Sequence, residues 1–133
     1  MRDQDSHPDC KRLKQQLLSL CAASGKHGQY LVRIACTELE TFYLADLQAV
    51  EHALGINGLA KQQLTRKFRT PDRLGNPSQE LKTLTGNAYQ KIAGSRVIGK
   101  HLALDNDRSP SFHNLVKGIR QLQKSLLPIE PPR

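Results

Sequence analysis

A chain of 133 residues with 38% apolar and 24% charged side chains has the composition of one ordinary globular domain and not of a disordered chain, with a frayed end expected at IEPPR. It has no Trp, three Tyr and three Phe, so its core must be built mainly from Leu, Ile, Val and Ala. It carries a formal charge of +8 but no apolar run of about 18 residues and no basic segment leading into a hydrophobic stretch of about 7 to 15, which argues against a spanning helix or a signal peptide and makes the cytoplasm the expected address.

The chain opens on RDQD, read as strand-like. Ser6, His7 and Pro8 then combine a capping residue with a proline in the first turn, and Leu13, Leu17, Leu20 and Cys21 recur at helical spacing. A helix from about Pro8 to Ser24 is predicted, with Gly25 beyond its last apolar position. The run QYLVRIAC, residues 29–36, is apolar, partly β-branched and of a length that suits a strand buried on both faces. From Thr37 the period turns helical: Leu39, Phe42, Tyr43, Leu47, Val50 and Leu54 share a face, and Gly55 supplies the stop.

Residues 56–77 read as an exposed basic connection, with a short helix around Leu59 to Phe68 before the loop RTPDRLGNP. Asn76 and Pro77 open a helix bearing Leu81 and Leu84, which ends at Gly86. Tyr89, Ile92, Val97 and Leu102 outline a further helix weakened by Gly94 and Gly99. Ser109 and Pro110 begin the last one, whose apolar stripe is Phe112, Leu115, Val116, Ile119, Leu122 and Leu126 and which stops at Pro128.

Strand, helix and strand at this spacing form a right-handed parallel crossover. The fold class is therefore α/β: residues 1–55 as a small parallel unit and 56–133 as a basic helical extension packed on it, one compact domain overall. Charge divides along similar lines. Residues 1–60 hold six Lys/Arg and seven Asp/Glu, whereas residues 61–133 hold fourteen and five. A basic second half suits a polyanion, because clustered cations gain affinity by releasing phosphate counterions; a solvated surface is the plainer reading. Lys61, Arg66, Lys67, Arg69 and Arg73 are the candidate nucleic-acid contacts, and with Phe68 alone between them they can grip phosphate but offer no stacking platform. Cys10, Cys21 and Cys36 form no CxxC pair and are expected to be small buried side chains.

Two stretches, RDQDSHPDCKRLKQQL and RIACTELETFYLADLQAVEHALG, together with NPSQELKTLTGNAYQKIAGSRVIGKHLAL and SPSF downstream, resemble bacterial Toprim-like proteins related to RloB and the OLD-family nucleases, often encoded beside AAA-type ATPases. The resemblance implies a partial Toprim-like sheet, a Mg²⁺-dependent nuclease-like activity of a defence-type system, and an AAA-type ATPase as partner. In that family an acidic residue, usually Glu, follows the first strand and an Asp-x-Asp ends a later one. Asp3 and Asp5 match the Asp-x-Asp; the first strand and its Glu have no counterpart, so the chain resembles the C-terminal portion of a longer member, inactive alone if the Glu is required.

Two acids two apart on a strand project from one face, as carboxylates sharing a hard cation must, and Mg²⁺ needs only one or two carboxylates beside waters and phosphates. Asp3, Asp5 and Glu38 are thus the expected metal ligands, with Glu38 an auxiliary ligand or base; Glu40, two residues on, is expected to point elsewhere, and Asp46 to be a surface or capping acid. The plainer reading makes Asp3 and Asp5 acids at a helix start. Other readings are a non-catalytic basic module that binds nucleic acid or pairs with a second copy through its open sheet edge, and a helical endoribonuclease using Arg96 and His101 of RVIGKH. No His or Cys spacing suggests zinc, and no phosphate-binding GxxxxGK[ST] loop is present.

Overall fold

Residues 1–5, 9–26, 29–35 and 38–126 are described by a computed structural model. Strand β1 (Arg2–Asp3) and strand β2 (Ile34–Ala35) pair in parallel with Arg2 opposite Ile34 and Asp3 opposite Ala35. The Arg2 N–H donates to the Arg33 carbonyl and the Gln4 N–H to the Ala35 carbonyl, each at 3.1 Å. Between the strands, α1 (Cys10–Ala23) makes the crossover. The strand expected over residues 29–36 is thereby cut to two residues, because β1 offers a ladder no longer than that; Cys36 lies outside the described residues. The start expected at Ser6 and Pro8 also lies outside them, and the cap in place is Asp9, whose carboxylate accepts the N–H groups of Lys11 and Arg12 at 3.0 and 3.2 Å.

The helical remainder comprises α2 (Glu40–Leu44), α3 (Leu47–Leu54), α4 (Pro77–Leu84), α5 (Lys91–Gly99) and α6 (Pro110–Leu126), with short 3₁₀ turns at Ala60–Leu64 and Pro71–Arg73. Helix α2 packs on α4, and α3 on α5. The chain is α/β and helix-rich with a small parallel sheet. One apolar cluster, including Ala35, Leu44, Leu47, Val50, Leu81, Tyr89, Ile98 and Phe112, draws on both the sheet unit and the basic half. Each fully buried Leu or Ile contributes about 1.5–3 kcal/mol relative to exposure.

The single helix expected from Thr37 to Leu54 is broken at Ala45 and Asp46, and distant side chains satisfy the backbone groups that the break releases. Buried Gln63 donates through Nε2 to the carbonyls of Leu44 (2.9 Å) and Phe68 (2.8 Å) and accepts the Leu47 N–H at 2.8 Å. Asn106 donates to the Ala45 carbonyl at 2.6 Å. Asp46 caps α3 by accepting the Ala49 N–H at 3.1 Å and reaches the Ala103 N–H at 2.8 Å, so it is a buried capping acid and not a surface one.

Helix α4 starts and stops close to expectation. Helix α5 is shorter than expected and turns a different face inward: Ile92 is 74% exposed and Val97 is exposed, while Gly94 and Ile98 face the core. Tyr89 precedes the helix and lays its ring over Gly94, where a Cβ would fall 2.6 Å from the ring. That close approach pins the ring and sets the register of the face. In α6 the stripe is only half covered: Phe112 and Val116 are buried, whereas Ile119 and Leu126 are exposed. Phe68 is in the core, and Cys10, expected inside, is exposed on the first turn of α1. Among the described residues no helix is long and apolar enough to cross a membrane.

Candidate acidic site at the sheet edge

Both strands run toward the same edge, which is where parallel α/β folds gather ligands. Strand β1 ends at Asp3, and Asp5 lies beyond it with a left-handed backbone (φ 51°), so the two acids are related by a turn and not by the alternation of a strand. Asp tolerates this conformation better than most side chains, at a cost of order 1 kcal/mol. After β2 the chain delivers Glu38 and Glu40 to the same place.

The convergence is visible in the ionisation of Asp3. Burial, followed by the charges of Asp5, Glu40 and Glu38, pushes its carboxyl above the usual Asp range, opposed by a hydrogen bond to the Leu39 backbone. Three other carboxylates therefore lie within electrostatic reach of Asp3.

They are differently engaged. Glu38 Oε1 accepts the Ser78 N–H at 3.2 Å, so Glu38 caps the first turn of α4. Glu40 is 2% exposed and accepts the Tyr89 hydroxyl at 3.0 Å; the same hydroxyl lies 3.3 Å from Ser95 Oγ. Burial, with Glu40 adding to it, raises the Tyr89 phenol far above its ordinary value, so Tyr89 stays a proton donor. Tyr43 packs tilted against Tyr89 at 6.1 Å between ring centres and is likewise raised by burial, with smaller contributions from Glu40 and Asp3.

Glu40 thus does not point away from the cluster; helix α2 begins at Glu40 itself, and its first turn carries the carboxylate inward beneath Asp3. Tyr89 and Ser95 were not anticipated at all. The signal was available in part: a buried Tyr seeks a hydrogen-bond partner, and a glycine five residues later is room for its ring.

The donor set is all oxygen, which suits a hard cation. Among the described residues, however, no three His, Cys, Asp or Glu side chains stand close enough to hold one ion between them. Asp5 lies within electrostatic reach of Asp3, whose carboxylate is itself hydrogen-bonded by the Leu39 backbone, while Glu38 and Glu40 are committed to Ser78 and Tyr89.

The remaining candidates separate. Arg66, Lys67, Arg69 and Arg73 line one depression of about 410 Å³, with Lys67 tied to Glu80 at 2.8 Å, and Lys61 is outside its lining. Burial of Phe68 removes the aromatic from that face. Arg96 is exposed on α5, and His101 packs edge-on against His52 at 4.5 Å between ring centres, in a hollow whose lining does not include Arg96.

The family model for a domain of unknown function, DUF4276, matches residues 2–120. No curated protein and no solved structure matches the chain.

Proposed function

The chain belongs to the DUF4276 family, a domain of unknown function; from the acids at its sheet edge we propose that it carries the carboxylate half of a Toprim-like, Mg²⁺-dependent phosphodiesterase site acting on nucleic acid. The observation that carries this reading is the placement of Asp3 at the outgoing edge of two parallel strands, where burial first and then the charges of Asp5, Glu40 and Glu38 raise its carboxyl. Like charges held together cost stability, and a divalent cation offsets that cost. The left-handed backbone at Asp5 supports the reading, since strain of this kind clusters at functional sites.

Asp3 and Asp5 would hold the ion, which retains waters and phosphate oxygens in its remaining positions. Bound there, Mg²⁺ supplies Lewis-acid polarisation of a phosphodiester and a more acidic water. The chain's own residues do the rest. Glu40, fixed by the Tyr89 hydroxyl, places a further carboxyl group near the pair, and Glu38 holds α4 against the edge. The groove of Arg66, Arg69 and Arg73 supplies phosphate contacts without reading sequence. An AAA-type ATPase is the partner that this reading brings with it, and catalysis by this chain alone is the less expected outcome.

The test is a Mg²⁺ and Mn²⁺ titration of the full chain followed by amide shifts and thermal unfolding. At a metal concentration of tenfold Kd the gain is about 1.4 kcal/mol, and Asp3→Asn with Asp5→Asn abolishes it. No response up to millimolar metal, or an undiminished one in the double variant, refutes the metal seat. For the groove, oligonucleotide affinity should fall steeply between low and moderate salt, and Arg69→Gln with Arg73→Gln should flatten that slope by roughly one unit per lost phosphate contact. An unchanged slope removes the groove from the reading.

A further inference from the structure

A second basic hollow lies away from the acids, where α1, β2 and α6 meet. It encloses about 460 Å³ and is lined by Lys11, Lys14, Arg33, Ser111, Asn114 and Asp72, among others. Lys11 and Lys14 are three apart on α1 and so neighbours on one helix face. Arg33 is held with more care. Its Nε donates to the Asn114 carbonyl at 3.1 Å and its Nη1 to the Val32 carbonyl at 2.8 Å. Its guanidinium lies against Gly118 of α6, where a Cβ would stand 2.8 Å from Nη2 and 3.0 Å from Cζ. A side chain at 118 would require the ends of Arg33 and Leu31 to shift, so the present seat of Arg33 uses the space that Gly118 leaves on α6.

Both acceptors of Arg33 are neutral carbonyls. Among the described residues the one ion pair within 4.0 Å is that of Lys67 with Glu80, so neither lysine nor Arg33 is neutralised by a described carboxylate. Asp72 lines the hollow, but its oxygens are taken by the Ser109 hydroxyl and by the N–H and hydroxyl of Ser111, the latter two at 3.0 and 3.3 Å. Three cations therefore face one concavity against a single carboxylate already occupied by three donors. Assembling like charges without a counter-ion is unfavourable, and an anion relieves it.

We infer that this hollow is a phosphate-binding site, with the Arg33 N–H groups not donated to Val32 and Asn114 as the directional donors and Lys11 and Lys14 as point charges. Arginine suits this role because its planar fork matches two phosphate oxygens at once. The site goes beyond the metal-dependent reading and does not need it, since none of the acids at the sheet edge contributes. The phosphate belongs either to a nucleic-acid strand or to a free mononucleotide; the chemistry recognised is the same.

The experiment uses the full chain in low salt with a chelator present, so that no metal at Asp3 or Asp5 contributes. Inorganic phosphate, a mononucleotide and a 5′-phosphorylated oligonucleotide are titrated separately against amide and Arg Nε–H resonances. Saturable shifts at Lys11, Lys14, Arg33 and Asn114 are expected, weakened at least about tenfold by Lys11→Gln with Lys14→Gln. Arg33→Lys should restore little, because an ammonium lacks the fork, and Gly118→Ala should weaken binding by displacing the guanidinium. Tighter binding of the oligonucleotide than of the mononucleotide identifies a strand as the source, and equal binding a free nucleotide. Should Arg33 or Gly118 variants fail to fold, the two lysine substitutions, on the face of α1, still decide. Absence of shifts at these positions, shifts confined to residues 66–73, or affinity unchanged in the lysine double variant overturns the proposal.

Discussion

The sheet edge and the helical body of this small protein are built on opposite terms. In the body, Leu44, Leu47, Val50, Leu81 and Ile98 are fully excluded from solvent, and Gln63, Asn106 and Asp46 satisfy the backbone where a helix breaks. Among the described residues no buried side-chain nitrogen or oxygen there lacks a partner. At the edge, two residues of each strand pair, one acid adopts a left-handed backbone, and a partly buried Asp3 feels the charges of three other acids. Stability is concentrated in the body, and the edge is held in an electrostatically costly arrangement that the body can carry. This is the distribution expected where a site must be preorganised at the expense of local stability.

The comparison breaks most visibly in the body. Leu81→Ala should cost about 2–5 kcal/mol, through lost burial and the cavity left between α2 and α4, read from the midpoint and slope of a urea transition. A loss below about 1 kcal/mol would mean that the site collapses and the core is less specific than its burial implies.

A smaller effect is expected at the helix break. Asp46→Ala removes the cap on α3 and leaves the buried Ala49 and Ala103 N–H groups without their acceptor, a loss of about 2–3 kcal/mol, with the metal response at the edge unchanged. If the metal response disappears as well, the two regions are not separable as described.

The smallest effect carries the opposite sign. Because the Asp3 carboxyl is raised in the folded chain, the native state binds its proton more tightly than the unfolded state does. Stability is then lost as pH rises from the ordinary Asp value of 3.8 through the raised one. Asp3→Asn should abolish that loss and raise Tm slightly at neutral pH, checked by thermal unfolding between pH 3 and 8. A variant that is less stable than the parent at neutral pH would show that the Leu39 hydrogen bond outweighs the repulsion.

Much of this was legible in the residues. The parallel strand, helix, strand opening, the start of α4 at Pro77 and the start of α6 at Pro110 follow from caps, prolines and period, all of them local. Asp3 and Asp5 could be singled out by spacing, although the reason given, strand alternation, was not what brings them together. Glu40 was set aside because its position relative to β2 depends on where α2 begins, and no local signal fixes a boundary to one residue. Tyr89 was lost because its role depends on Glu40, forty-nine positions away.

What the sequence determined by itself was the order of elements and the excess of bases in the second half, because caps, turn formers and periodicity act over a few residues and charge is read directly from composition. What only the tertiary structure decided was the break at Ala45, the pinning of Tyr89 over Gly94 and the seat of Arg33 on Gly118. Each depends on a hydrogen bond or a close approach between segments far apart in the chain. In isolation the residues from 37 to 54 favour one helix; a Gln sixteen positions beyond Leu47 and an Asn sixty-one beyond Ala45 make two shorter ones the better bargain.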